Sequence, residues 1–428
     1  MRIIMNKQLL TNKKILIGIT GSISIYKIAE LIRLYIKAGA QVRVIMSSGA
    51  IKFINPLTFE ALTRNVVITD ENESWADDKN HIDIGKWADL FIIAPATANT
   101  INKLSNGIAD NFLLQTALAY PRLKLIAPAA NTNMIQNPVT VASLKMLKLL
   151  NYTIINSQPK ELACGDEGDG ALADVDEIFH ESIKALMREE YWNNRRVVIS
   201  GGGSIEKIDE VRYISNFSSG KMAQNLALAL YYKGADVCLV SSKHHNLPNG
   251  IHTIDVKSAT EYKEYLDDCI RVAKKGVFVE ETSLVQESQK GWITKKPYLF
   301  MAAAISDYKP KYPQDGKLKK SDIGESWSLE LSQNIDVLDS LAKEGIYAYG
   351  FKAEMDKNNA LYNATAMLEK KKLDGVFLNI LEDANSFGTD ENGFTLITKE
   401  GQKDIPKESK LTISLKIAEL LKDDNKHD

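Results

Sequence analysis

The chain has 428 residues, of which 44% are hydrophobic and 25% charged, with a formal net charge of −2. That length exceeds one ordinary core and predicts two domains, while the near-neutral balance gives no pull toward nucleic acid or an anionic membrane surface. The N-terminal stretch lacks a signal-peptide core, and no apolar run approaches the roughly 20 residues that span a bilayer, so the chain reads as cytoplasmic, with no membrane or nucleic-acid partner.

Lys14–Met46 reads as strand, glycine turn, helix, strand. Ile15–Ile19 has the unbroken apolar character of a buried parallel strand. Gly18, Gly21 and Ser22 then open a helix over Ile25–Lys37, and such a turn offers backbone N–H groups to a phosphate. The full GxGxxG spacing is absent, and the alternative is that the glycines only permit a tight turn. The next strand, Val42–Met46, ends in Ser47-Ser48, where an NAD enzyme has an acid for the ribose. A mononucleotide with its phosphate at Ser22 and Ser47 fits better.

Asp89–Ala98 contains another buried strand, Leu90–Ala94, and ends in a Pro-Ala-Thr-Ala turn carrying Thr97 and Ala98. Leu123–Pro128 is a further strand, followed by Ala129-Ala130-Asn131. An Asn at a strand end can hold a carboxylate, although as a lone feature it is more often a helix cap. His81, in NHIDIGKWADL, is by itself an ordinary surface or core histidine. Cys164 stands in ELACGDEGDGALAD, which suits neither a helix nor a central strand. Free cysteine is usually buried, so a thiol in a polar loop points to a reactive group on a lid. The three cysteines, Cys164, Cys238 and Cys269, make no disulfide framework and no CxxC pattern.

Residues 174–191 form an amphipathic helix with Val175, Ile178, Phe179, Ile183 and Leu186 on one face, closing a first domain over 1–190. Tyr191–Arg196 reads as a short polar hinge into a second domain, 191–428. That domain opens as the first did. Val197–Ser200 leads into Gly201–Gly203, Ser218-Ser219-Gly220-Lys221 starts a helix, Gly234 ends it, and Val237–Val240 follows. This strand also ends in serines. Arg212 and Lys221 suit a phosphate or a solvated face. Ser283–Lys296 reads as a surface loop. The strand Tyr298–Ala303 leads to Asp307, a plausible Mg²⁺ ligand beside a nucleotide. Lys317, Lys319 and Lys320 suit a triphosphate or solvent. A helix over Ala360–Lys372, a buried strand over Asp374–Asn379, a hairpin-like strand and a C-terminal helix over Leu411–Leu421 complete the chain.

The set GITGSISIYK, PLTF, HIDIGKWAD, APATAN, PAAN and ACGDEGDG resembles the flavin-containing cysteine decarboxylases, and VRYISNFSSGKM resembles phosphopantothenate–cysteine ligase. In tandem they resemble the bacterial bifunctional enzymes of coenzyme A biosynthesis over nearly the whole chain. The resemblance implies two Rossmann-like α/β domains: an N-terminal flavodoxin-like flavoprotein domain and a C-terminal Rossmann-like ligase domain. It implies FMN held near Gly21, Ser22, Ser47, Thr97 and Ala98, with His81 at the decarboxylation step, Asn131 on the substrate carboxylate and Cys164 as proton donor. In the second half it places phosphopantothenate at Arg212, Ser218, Ser219 and Gly220, with Asn216 on the acyl-cytidylate. CTP and Mg²⁺ fall to Ala303, Asp307, Lys317, Asn334, Asp336, Phe351 and Lys371, with Asp307 on the metal and Lys317 as the key lysine. It also implies trimers through the flavin domain and dimers through the ligase domain. The chain departs from the family pattern at Ala130, Ile135, Ala171, Ile335, Lys352 and Met367. A flavin-binding regulatory protein, or a chain with one active half, is the alternative. Joint retention of His81, Asn131 and Cys164 favours the enzyme.

Overall fold

The computed structural model describes residues 8–77, 79–161, 167–281, 289–319, 324–381 and 388–425. The chain divides into two compact units, Met1–Met187 with Val279–Gly291, and Arg188–Phe278 with Trp292–Asp428.

The first unit is built on β1 (Lys14–Ile19), β2 (Gln41–Met46), β3 (Leu90–Ala96), β4 (Lys124–Pro128) and β5 (Tyr152–Ile154). They form one parallel sheet in the order β2-β1-β3-β4-β5, the flavodoxin-like order of doubly wound folds. Every residue of β3 is buried, because helices cover both faces of a parallel sheet. One face packs Leu16, Phe91, Ile93 and Ile126 against Ile101, Leu113 and Leu147. Elsewhere in the unit the helices Ile28–Lys37 and Val175–Met187 pack together through Tyr35 and Phe179, whose ring centroids are 5.6 Å apart. The helix expected from Ile25 starts as a 3₁₀ turn, Ile23–Lys27, and becomes α-helical only at Ile28. Beyond β5, β6 (Gln158–Glu161) and β7 (Glu167–Ala171) form a separate antiparallel pair.

The second unit carries β8 (Arg196–Gly201), β9 (Ile205–Lys207), β10 (Tyr213–Ser215), β11 (Asp236–Ser241) and β12 (His252–Asp255). β13 (Val277–Glu281) and β14 (Gln289–Ile293) pair with each other, and their stretch Val279–Gly291 is counted with the first unit; the second unit resumes with β15 (Tyr298–Met301), β16 (Tyr308–Pro310) and β17 (Leu331–Gln333). The unit ends with β18 (Tyr347–Glu354), β19 (Gly375–Ile380), β20 (Glu391–Thr398) and β21 (Gly401–Ser409). Eight strands form the main sheet in the order β12-β11-β8-β15-β18-β19-β20-β21. The first six run parallel and the last two antiparallel, so the parallel part has Rossmann-like order. Among the described residues no helix is long and apolar enough to cross a membrane.

Two expectations fail here. Part of the supposed surface loop 283–296 is strand β14; polar residues hide its alternation, but Trp292 meets Phe278 at 5.5 Å. The supposed hinge is a packed turn. Trp192 is fully buried and donates its Nε1–H to Ala418 O at 3.1 Å. Arg195, also buried, lies 4.0 Å from the Tyr191 ring and donates to Lys296 O at 2.8 Å. Letters that look polar in sequence carry large apolar or stacking surfaces, and here those surfaces go into the core.

Candidate active sites

In the first unit the sheet order reverses at β1, and ligands of such folds collect at the carboxyl ends of the strands beside that point. β1 ends in Thr20-Gly21-Ser22. A Cβ on Gly21 would stand 3.0 Å from the Gly49 backbone, so the loops after β1 and β2 meet backbone to backbone. Ser22 Oγ accepts from Ser24 N, Ser47 Oγ from Ala50 N and Thr97 Oγ1 from Thr100 N, each at 3.3 Å. These hydroxyls cap helix starts, and Thr97 Oγ1 also lies 3.1 Å from Thr100 Oγ1. Ala98 is the buried first residue of the helix Ala98–Ser105. The buried Thr20 ties the edge together: its Oγ1 donates to Pro95 O at 2.7 Å and accepts from Thr97 N at 2.9 Å. Hydroxyl caps and a glycine contact at the ends of β1, β2 and β3 suit the phosphate of a mononucleotide.

At the end of β4, Asn131 Oδ1 accepts from Asn133 N at 2.9 Å, capping the short helix Thr132–Gln136. Its neighbour Ala130 donates its N–H to Gly170 O at 3.1 Å. Side chains at Gly168 and Gly170 would overlap the Thr132 side chain and the Ala130 carbonyl, so β7 lies directly on the Asn131 turn. Thr132 Oγ1 is shielded there, with no hydrogen-bond partner among the described residues. Cys164 belongs to the segment joining β6 to β7 and lies outside the described residues. His81 opens the helix His81–Trp87, with Nδ1 3.0 Å from Glu73 Oε1. Its ring meets Trp75 and Phe112 edge-on at 5.5 and 6.4 Å.

In the second unit the order reverses at β8, whose end is the Gly201–Gly203 turn. Gly202 has φ of +79°, open to glycine and strained for other residues. Ser242, just beyond β11, donates from Oγ to Gly203 O at 2.7 Å. Tyr262 donates to Gly201 O and accepts from Ser242 N, the latter at 2.9 Å, so one hydroxyl joins both strand ends. Asn216 donates from Nδ2 to Ile305 O at 3.1 Å and thereby reaches the end of β15. Asn334, which is buried, donates from Nδ2 to Ser306 O at 3.1 Å, and its N–H reaches Asp307 O at 2.7 Å. Asn216, Asn334 and the 305–307 segment therefore form one cluster. Ala303 donates its N–H to Ser200 Oγ at 3.2 Å, close to the same edge. The Asp307 side chain is exposed.

Arg212 is not a free surface cation. Its Nε and Nη2 donate to Asp209 Oδ2 at 3.0 and 2.6 Å, and Nη2 also donates to Leu318 O at 2.8 Å. Asp209 is buried and accepts from Val211 N, Arg212 N and Leu318 N as well. Burial pushes its carboxyl up, but these bonds outweigh burial and hold it well below the usual carboxylate range. One acid thus fixes Arg212 and the backbone beside the exposed Lys317.

Ser218, Ser219 and Gly220 precede the helix Lys221–Tyr232. Gly220 is its left-handed N-cap, with φ of +69°, and Ser219 Oγ accepts from Lys221 N at 3.4 Å. Lys221 Nζ lies 2.6 Å from Asp390 Oδ1 and 3.0 Å from Gly388 O. Lys371 pairs with Asp336, which caps the helix Val337–Ser340. Burial raises that carboxyl, while Lys371 and Asp339 N outweigh burial and keep it below its ordinary range. Met367 packs over Gly350 beside Leu373 and belongs to the core. Phe351 stacks on Phe377 at 4.9 Å and meets Phe394 edge-on at 5.5 Å.

Sequence reading missed Thr20, Gly49, Glu73, Asp209, Tyr262, Asp336's pairing with Lys371, and Asp390. Most act through residues far off in the chain, and no local spacing announces them. Among the described residues no three or more His, Cys, Asp or Glu side chains gather as a metal would require. Asp307 alone suits a metal that shares its oxygen ligands with nucleotide phosphates and water.

Fold and site together define a tandem α/β enzyme with two nucleotide-type strand edges, the first in a flavoprotein unit. Residues 3–187 match the family model described as Flavoprotein. Residues 192–280 and 275–424 match that described as DNA/pantothenate metabolism flavoprotein C-terminal domain. The chain is 33% identical over 415 residues to the "Coenzyme A biosynthesis bifunctional protein CoaBC" of Borreliella burgdorferi, covering 96% of this chain and 99% of that one. It is 36% identical over 419 residues to the Bacillus subtilis protein of the same name, covering 96% of each. A "Cysteine/Cysteine sulfinic acid decarboxylase" from an unknown prokaryotic organism is 36% identical over 363 residues, covering 82% of this chain and 93% of that one. The chain belongs to the family of coenzyme A biosynthesis bifunctional proteins, with ligase and decarboxylase halves in one polypeptide.

Proposed function

We propose that the second unit joins cysteine to 4′-phosphopantothenate with CTP, and that the first decarboxylates the product to 4′-phosphopantetheine with FMN. The observation that carries the ligase reading is Asp209, which holds Arg212 and the Lys317 segment together at one edge. In this reading the substrate carboxylate attacks the α-phosphorus of CTP and pyrophosphate leaves. The cysteine amine then attacks the acyl carbon and CMP leaves. Lys317 and Lys371 offset charge on the transferring phosphate, and Asp307 would hold an Mg²⁺ brought in with the nucleotide, which would supply further positive charge there. Ala303, Asn334 and Asp336 line the nucleotide, and Phe351 lies near the base. Arg212 and the Ser218–Gly220 turn take the phosphate of phosphopantothenate, and Asn216 steadies the acyl-cytidylate.

FMN supplies reversible two-electron oxidation of the substrate thiol, which makes loss of the neighbouring carboxylate possible. Gly21, Ser22, Ser47, Thr97 and Ala98 hold its phosphate end. Asn131 holds the substrate carboxylate with its amide. Glu73 occupies His81 Nδ1 and leaves Nε2 as the nitrogen for proton exchange. Cys164 returns the proton to product. Exposed Ile23, Tyr26 and Leu57 beside this edge support self-association of the flavin unit; its being trimeric, and dimers through the ligase unit, rest on the family resemblance alone.

The test is product analysis with phosphopantothenate, cysteine, CTP and Mg²⁺ beside Cys164→Ser and Lys317→Gln. Wild type should form phosphopantetheine and CO₂, Cys164→Ser should accumulate phosphopantothenoylcysteine, and Lys317→Gln should form little of either product. CTP-independent release of CO₂ from free cysteine, without phosphopantetheine, would overturn the proposal.

A further inference from the structure

Cys238 lies on β11 and Cys269 on the helix Ala259–Ala273, 31 residues apart in the chain. Their sulfurs are 3.6 Å apart. Cys238 shares a face of β11 with Val240, and both thiols pack against the core that contains Leu266 and Ile270. Each is only partly buried. A disulfide needs an S–S distance of about 2.05 Å, so the sulfurs close by about 1.5 Å, within reach of side-chain rotation.

We infer that Cys238 and Cys269 are a covalent modification site, a dithiol that hydroperoxides convert to a disulfide stapling the helix to the sheet. The inference stands apart from the proposed reaction. The hydrogen bond between the thiols pulls Cys269 down from its ordinary range, while that bond and burial push Cys238 up. Cys269 is therefore the more easily ionised of the two thiols, and its thiolate is the form that attacks. Its sulfur attacks one peroxide oxygen, the O–O bond breaks, hydroxide leaves and takes up a proton as water, and Cys269 becomes a sulfenic acid. Cys238 sulfur then attacks Cys269 sulfur, expelling the sulfenic oxygen as a second water, with the Cys238 proton going into that water. Two thiols are oxidised and one hydrogen peroxide is reduced to two waters.

The staple has a mechanical consequence. Tyr262, on the same helix, already binds the ends of β8 and β11. The disulfide adds a covalent tie at the helix's other end, so oxidation stiffens the element behind the glycine turn.

The test is peptide mapping of the full-length protein after hydrogen peroxide, with thiols blocked and no reductant. The expected product is one cross-linked species joining the Cys238 and Cys269 peptides, two hydrogens lighter than their sum and separated by dithiothreitol. The melting transition should rise by roughly 5 °C on oxidation and fall back on reduction. Cys238→Ser should leave a Cys269 sulfenic acid that a 1,3-dione probe captures. The wild-type map decides without the variant. Both thiols still open to alkylation after peroxide, or a cross-link that uses Cys164, would overturn the inference.

Discussion

Asp209 is a buried carboxylate that organises Arg212 and the backbone beside Lys317. It accepts five hydrogen bonds, from the N–H groups of Val211, Arg212 and Leu318 and twice from the Arg212 guanidinium. Asp209→Asn keeps the volume but replaces one acceptor oxygen by an amide that cannot take the guanidinium bonds. Losing charge-assisted bonds and the register of the Lys317 backbone should lower the ligase rate by about 100-fold. Decarboxylation of supplied phosphopantothenoylcysteine should stay at wild-type rate. Equal loss of both rates would show that Asp209 serves stability alone. Asn131 was legible as a cap because it stands between a strand and a helix, whereas Ser22 and Ser47 were read as strand-end hydroxyls for a phosphate and their capping bonds were not foreseen. Asp390 was not legible, because it stands 169 residues from the Lys221 it holds.

Among the elements, the helix Val175–Met187 carries the clearest pH signature. His180 is buried, and burial lowers its pKa to about 4 from an ordinary 6.5. Below 6.5 the unfolded chain takes up a proton that the folded helix refuses. Stability from this group is therefore intact above 6.5 and lost as pH falls from 6.5 toward 4, by roughly 3 kcal/mol at most. His180→Phe should flatten that part of the stability profile, measured by urea unfolding at pH 4.5 and 7. An unchanged slope would refute the assignment. The helix itself was readable from the spacing of Ile178, Phe179 and Ile183, because a period of 3.6 survives whatever it packs against. The pairing of β6 with β7 was less readable. The glycines of the Cys164 segment look like loop, yet Gly168 and Gly170 are small because β7 lies against the Asn131 turn. A strand made of such residues leaves no alternating signal.

At the scale of the molecule, the pairing of β1 with β2 and of β8 with β11 follows from the repeated strand–glycine–helix opening, and this repeat is why two halves could be seen in the chain. Where one half gives way to the other was harder to see. YWNNRR is hydrophilic by letter count, yet Trp192 and Arg195 are core residues of the second unit. Glu189 adds to the same anchor through Lys233 and Lys422, and its carboxyl, raised by burial, is brought below the ordinary range by those two lysines. Anyone separating the halves by genetic truncation therefore has little freedom in choosing a start site. A fragment beginning at Arg188 should express as soluble, CTP-dependent ligase, whereas one beginning at Val197 would leave an open socket against Ala418 and lose about 3–5 kcal/mol, as deletion of a buried Trp does. If the shorter fragment melts no lower than the longer, that socket is unimportant. If it melts far lower, the nine residues from Arg188 to Arg196, six of which look like a tether, are the second enzyme's foundation.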